Sequence, residues 1–216
     1  MDFYQFGPPL AKTTISEELR LELLEEGKKQ TEDAHPVLVG HMEDEKMYNT
    51  SLTNYFENKI SKYIIEYIEK IQEAKKLPEK KYKIVLKDIW INIYKTGEHN
   101  PPHNHPDGQI SFVIYLDFPD VIKKEIPRFG QFTPGSIQFI YGSNTNIQTD
   151  FDSNRFITKV LEPIYGLSHV PTTGEMFIFP SYLMHFVSPF YTEGVERISV
   201  AGNISVIDVN EKKSLL

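Results

Sequence analysis

Apolar residues recur every third or fourth position in two stretches before residue 80. After it they come every second position or in short unbroken runs. The first stretch carries Leu19, Leu23 and Leu24 behind Thr14-x-x-Glu17, a pattern that reads as a capping box, with Gly27 as the stop. The second begins near Thr53 or Asn54 and places Phe56, Ile60, Tyr63, Ile64, Tyr67, Ile68 and Ile71 on one helical face, with Pro78 closing it. Val37–Val39 reads as a short strand between them. Beyond residue 80 the runs Tyr82–Tyr94, Ile110–Leu116, Ser136–Tyr141, Arg155–Leu161, Glu175–Phe179, His185–Phe190 and Arg197–Val209 are rich in Ile, Val, Phe and Tyr and are separated by Pro, Gly and Asn. Short strands in succession without intervening helices predict a sandwich, jelly roll or barrel. The chain thus reads as mainly β with N-terminal helices, an α+β protein of one domain. Residues 1–80 form a helical support region and residues 81–210 the β core. The polar, turn-rich segment Gly142–Asn154 reads as a surface loop or as a lid that orders over a cavity when substrate binds.

Composition narrows the function classes. The 216 residues are 40% apolar and 25% charged, as in an ordinary globular domain and unlike a disordered chain. The longest unbroken apolar run is Phe112 to Leu116, too short to span a membrane. A net charge of −7 disfavours nucleic acid and anionic membrane surfaces as partners. The basic group Lys75, Lys76, Lys80, Lys81 and Lys83 reads as a solvated turn. With no cysteine there is no disulfide framework, zinc ribbon or thiol nucleophile. No basic segment followed by an apolar one opens the sequence, so cytoplasmic residence is expected.

The candidate chemistry is concentrated in histidines. Three of the seven lie in Gly97-Glu-His99-Asn100-Pro-Pro-His103-Asn-His105-Pro106-Asp107. In extended backbone, residues two apart point to one side, so His103 and His105 can share a metal ion. His105 and Asp107 have the same spacing, and both registers are open. Far along the chain, Gly174-Glu-Met-Phe-Ile-Phe-Pro180-Ser-Tyr-Leu-Met-His185 runs a strand into a turn and presents a further histidine. Arg197-Ile-Ser199 follows. Arg197 and Ser199 share a strand face that carries no alternating Asp or Glu, and a buried guanidinium needs an anion. A ligand carboxylate held by Arg197 and Ser199 answers that need. Two histidines with a third ligand and open positions describe a non-haem iron(II) site.

These motifs together resemble the iron(II)/2-oxoglutarate-dependent oxygenases, more narrowly those with an Asn-x-x-His-x-His-Pro segment, here Asn100 to Pro106. Trp90-Ile-Asn92-Ile-Tyr94 precedes it, Ser111-Phe-Val-Ile-Tyr115-Leu follows, and Gly-x-x-x-x-Phe-Pro-Ser-x-x-x-His is Gly174 to His185. The resemblance covers roughly residues 82 to 207. It implies a double-stranded β-helix (jelly roll, cupin-like) core, with the N-terminal helices packed outside its larger sheet. The implied cofactors are Fe(II), 2-oxoglutarate and O2, and the implied reaction is hydroxylation of a substrate C–H bond with release of succinate and CO2. By position, His103, His105 and His185 are the implied metal ligands, where better-known members use His-x-Asp. Arg197 and Ser199 take the C5 carboxylate of 2-oxoglutarate, and Tyr94 is a candidate hydrogen-bond partner for it. Tyr115 is a similar candidate that reads rather as core, and Asn203 either contacts the co-substrate or, the reading favoured, caps a strand end. His99 and His169 read as loop residues, and nothing ties His35 or His41 to the site. The substrate is a small molecule or a peptidyl side chain. Two other readings fit the same residues. One is a three-histidine metal dioxygenase that does not use 2-oxoglutarate, with Arg197 on the substrate's own carboxylate. The other is a non-catalytic jelly-roll binding module.

Overall fold

A computed structural model of the chain describes residues 7–78, 80–126, 133–141 and 166–209. In chain order its elements are β1 (Ala11–Thr14), α1 (Glu17–Lys28), β2 (Glu32–Asp33), β3 (Asp44–Met47), α2 (Thr50–Ala74), β4 (Tyr82–Tyr94), β5 (Asn100–His103), β6 (Ile110–Asp117), α3 (Asp120–Lys123), β7 (Ile137–Ile140), β8 (Gly166–His169), β9 (Glu175–Pro180), β10 (Met184–Val187) and β11 (Arg197–Asp208). The described strands form two antiparallel sheets. The larger runs β1-β9-β6-β11-β4-β3-β2 and the smaller β5-β10-β7-β8. This is the double-stranded β-helix.

Strand periodicity divides the larger sheet between two cores. Met176 and Ile178 of β9, Ile114 and Leu116 of β6, and Ile198 and Val200 of β11 join Leu23, Phe56, Ile60 and Ile64 of the two long helices. Phe177, Phe179, Tyr115 and Tyr94, one residue out of phase, face Ile137, Phe139 and Val187 of the smaller sheet. In β4 the helix side is held by Ile84 and Leu86, then by Ile89 and Ile91. The change of phase falls at a β-bulge where Asn203 pairs with Asp88 and Ile204 with Leu86. The bulge turns Trp90, Asn92 and Tyr94 toward the smaller sheet.

Several local expectations are corrected. Ser16, rather than Thr14, caps α1 by accepting from the Leu19 N–H at 3.3 Å, and Thr14 instead ends β1. Gly27 does not stop this helix but lies buried inside it, where a Cβ would collide with Tyr48 Oη and come within 2.6 Å of Ile91 Cδ1. The second helix begins at Thr50 because Asn49 caps it, accepting from Leu52 N–H at 3.0 Å. Val37–Val39 is turn and coil rather than strand. Among the described residues, β1, β2 and β3 precede residue 80 alongside the helices. Arg155–Leu161 and the loop Gly142–Asn154 lie outside the described residues. Among the described residues, no helix is long and apolar enough to cross a membrane.

Candidate functional site

Three histidines converge between the sheets. His103 ends β5 and is the direct antiparallel partner of His185 in β10, with ring centroids 4.3 Å apart. His105 lies two residues on, and its backbone N–H donates to Ser181 O at 2.9 Å. Its ring centroid lies 5.0 Å from that of His103 and 5.1 Å from that of His185. One ligand nitrogen from each of the three lies within 4.8 Å of the others. Asp107 is outside this group, and its backbone carbonyl accepts from Lys87 Nζ. The His-x-His register is therefore the one whose side chains meet.

The local backbone sets the tautomers. His103 Nδ1 lies 2.7 Å from Pro101 O and His185 Nδ1 lies 2.9 Å from Leu183 O. A carbonyl only accepts, so each Nδ1 carries the proton and each Nε2 keeps its lone pair. Burial first, then the neighbouring imidazoles, pushes His185 well below its ordinary pKa. The same two causes bring His105 down to about 4. Burial also lowers His103, against the opposing pull of Pro101 O. Three neutral imidazoles with free lone pairs form a donor set suited to a divalent transition metal.

Ser181 ties this cluster to the larger sheet. Its hydroxyl is 2.8 Å from Ser111 Oγ, which donates to Asn203 Oδ1 at 2.8 Å, and Asn203 Nδ2 donates to Asp88 Oδ1 at 2.8 Å. Asn203 thus bridges β6 and β4 through its side-chain amide. The chain of bonds fixes both the His105 backbone and the turn before His185. Both serines belong to the quoted motifs, but their bonding to each other follows only from the pairing of β6 with β9.

The walls of the cavity beside the histidines include Trp90, Asn92, Tyr94, Tyr115, Arg197 and Ser199. Arg197 is 1% exposed. Its Nη1 donates to Gly135 O at 3.0 Å, while Nε and Nη2 have no partner among the described residues. No ion pair with a described Asp or Glu satisfies it. Its guanidinium lies over the Tyr94 ring, 3.7 Å from the centroid. Tyr115 Oη and Asn92 Oδ1 are likewise buried without partners. Tyr94 Oη accepts from Asn100 Nδ2 at 3.1 Å, and burial, partly offset by Arg197, raises its phenol to about 12. A buried cation with two idle donors, set among neutral hydroxyls and amides, is a receptor for a carboxylate.

The remaining histidines have other company. His99 stacks on His41 at 5.1 Å, His169 Nε2 is 2.8 Å from Glu175 Oε2, and His35 pairs with Asp33. A second cavity opens beside His103 and His105 and is lined in part by Glu45 and Val37–Val39. Neither Glu45 nor this wall was legible in the sequence.

Residues 88–203 match the family described as "Putative 2OG-Fe(II) oxygenase". The match spans more than half of the chain, and the chain belongs to this family. No curated protein matches it by sequence. Among solved structures it is similar to an oxidoreductase of the 2OG-Fe(II) oxygenase family from Burkholderia pseudomallei, at 12% identity and a TM-score of 0.56 over 91% of this chain and 84% of that one. It is also similar to HygX from Streptomyces hygroscopicus with nickel, 2-oxoglutarate and hygromycin B bound, at 10% identity and 0.52 over 91% and 82%. The non-heme alpha ketoglutarate dependent epimerase SnoN from nogalamycin biosynthesis gives 11% and 0.53 over 93% and 77%. These neighbours share the fold. By its family the protein is an Fe(II)- and 2-oxoglutarate-dependent oxygenase.

Proposed function

We propose that His103, His105 and His185 hold Fe(II) through their Nε2 atoms, that Arg197 and Ser199 bind the C5 carboxylate of 2-oxoglutarate, and that the enzyme hydroxylates a substrate C–H bond with release of succinate and CO2. One observation carries the reading: a fully buried guanidinium without a carboxylate lines the same cavity as three neutral imidazoles. Ferrous iron, when bound, supplies the reduction of O2 coupled to decarboxylation of 2-oxoglutarate, one oxygen atom going to succinate and the other to the substrate.

The chain's own residues bind, orient and exclude water. Nδ1–H bonds to backbone carbonyls lock His103 and His185 with Nε2 toward the centre. Three neutral ligands bring no charge to a dication, so the anionic co-substrate becomes part of the charge balance. Arg197 meets the far end of that anion, and its Gly135 contact and the Tyr94 ring fix the plane of its fork. Tyr94, whose hydroxyl accepts from Asn100, keeps its own proton to donate to a co-substrate oxygen. Phe139 and Phe179 pack against His185 at 6.1 and 4.8 Å and shield the centre from solvent. Residues 1–80 support this core as part of one domain.

The test is anaerobic reconstitution with Fe(II), calorimetric titration with 2-oxoglutarate, and then measurement of succinate on admitting O2. Micromolar binding and oxygen-dependent succinate are expected. A metal dioxygenase independent of 2-oxoglutarate would consume O2 without succinate. Absence of 2-oxoglutarate binding by the metal-loaded wild type overturns the proposal.

A further inference from the structure

Glu45 is 1% exposed, and no described donor reaches its Oε2. It belongs to β3, opposite Asn92 of β4. Its carboxyl is directed toward Gly40, where a Cβ would lie 3.1 Å from both Glu45 Oε1 and Asn100 Oδ1. Two acceptor oxygens therefore converge, and the amide oxygen of Asn100 is also without a donor. Both residues line the second cavity together with Val37, Val39, Trp90 and His105. This cavity and the one containing Arg197 share Trp90, Asn100, His103 and His105, so they meet at the imidazole cluster.

The two cavities have opposite character. One presents a buried cation without an anion. The other presents a buried carboxyl without a cation, beneath valine side chains that are 73% and 50% exposed at Val37 and Val39. A carboxyl withdrawn from water needs a charged or donor-rich partner. His35 acts on Glu45 only through space, its two ring nitrogens being engaged with Asp33 and Met42 O, and Lys46 forms no ion pair with it, so no described cation contacts the carboxyl. The aliphatic wall and the Trp90 ring suit a chain of methylene groups ending in a positive charge.

We infer that the second cavity is the site of the primary substrate and that Glu45 binds a protonated amine or guanidinium at the end of a short aliphatic chain. The inference rests on the proposed metal and co-substrate assignments for which side of the cluster remains to the substrate. The substrate class is a free or peptidyl basic side chain, held by its charged end while a carbon nearer the imidazoles is presented for oxidation. Burial raises the Glu45 carboxyl to about 7, and a bound cation would draw it back toward ionisation.

Trp90 is the only tryptophan of the chain and lines this cavity, so its fluorescence reports occupancy directly. The anaerobic Fe(II)- and 2-oxoglutarate-loaded protein is titrated at pH 8 with n-butylammonium, n-butylguanidinium, 1-butanol and butyrate. Saturable changes are expected for the two cations, at least tenfold tighter than for 1-butanol, with none for butyrate. Glu45→Gln should weaken the cations at least tenfold and leave 1-butanol unaffected. Val39→Lys, at an exposed position, should weaken them as well, and it carries the test if Glu45→Gln fails to fold. Equal affinity for amine and alcohol, or cation binding unchanged in the variants, overturns the inference. Calorimetric binding of 2-oxoglutarate, measured on the same samples, separates a failure of the co-substrate assignment from a failure of this one.

Discussion

Arg197 and Tyr94 are direct partners across β11 and β4, and the guanidinium carbon sits 3.7 Å from the centroid of the tyrosine ring. The same register pairs Ser199 with Asn92 and Ala201 with Trp90. The cavity floor is therefore a ladder of cross-strand pairs, with the cation at one end and the single tryptophan at the other. Packing against the ring holds a flexible side chain in one orientation before any ligand arrives.

If Arg197 binds the C5 carboxylate as proposed, Arg197→Ala removes a charge-assisted fork and leaves that carboxylate unpaired. Truncation of one member of such a pair costs about 2–5 kcal/mol. At about 1.4 kcal/mol per tenfold, 2-oxoglutarate affinity should fall by about 30-fold to several thousand-fold. Iron binding should persist, because Arg197 touches no imidazole. Arg197→Lys should recover part of the loss, since a point charge lacks the fork. Calorimetry on anaerobic metal-loaded protein reads all three, and unaltered affinity in the alanine variant would remove Arg197 from the co-substrate site.

Tyr94 separates stacking from hydrogen bonding. Tyr94→Phe keeps the ring under the guanidinium, whereas Tyr94→Leu loses a desolvated cation–π contact of about 1–2 kcal/mol. The leucine variant should bind 2-oxoglutarate about 5- to 30-fold more weakly than the phenylalanine variant. If instead the phenylalanine variant shows the larger loss, the hydroxyl rather than the ring is what the co-substrate feels.

His185→Ala should abolish most Fe(II) binding, as should His103→Ala, while Asp107→Ala should leave it near wild type. The geometry behind this is the convergence of His103, His105 and His185, from which Asp107 is absent. Metal content after gel filtration decides it. A metal-free Asp107→Ala protein beside a loaded His103→Ala protein would shift the ligand register by two residues.

Much of this site is written in residue order and some of it is not. The strand Tyr82–Tyr94 and the shared faces of Trp90, Asn92 and Tyr94, and of Arg197 and Ser199, follow from period two and from the absence of acidic residues beside the arginine. The His-x-His pair stands out in the sequence as a cluster, but it takes the pairing of β5 with β10 to bring His103 and His105 together with His185. Strand β5 itself is Asn-Pro-Pro-His, which strand propensities reject. It survives because it is an edge strand, where the missing proline N–H groups cost no ladder bond. Strand β3 reads Asp-Glu-Lys-Met and owes its conformation to pairing with β4 rather than to its own composition. That long-range pairing also buries Glu45, so no local pattern could have announced it.

The last prediction concerns the stability cost of that burial. Desolvation raises Glu45 most, Asp33 adds to it, and His35 opposes, leaving the folded carboxyl at about 7 against 4.5 in the unfolded chain. A carboxyl with a raised folded pKa binds more protons when folded. Its contribution is therefore most favourable below pH 4.5 and is lost as pH rises to 7 and beyond. At about 1.36 kcal/mol per pH unit, the displacement is worth about 3 kcal/mol of stability withheld at pH 8. Glutamine keeps the shape without the charge, so Glu45→Gln should match the wild type near pH 4.5 and exceed it by up to about 3 kcal/mol at pH 8, in the absence of any amine. Urea unfolding of both proteins at the two pH values isolates Glu45, because groups unaffected by the substitution cancel in the difference. A gap between variant and wild type that does not grow with pH would mean that the Glu45 carboxyl is already satisfied in the free protein. If the gap does grow, saturating n-butylammonium should narrow it at pH 8, since a ligand that binds the folded wild type more tightly than the folded variant stabilises the wild type more.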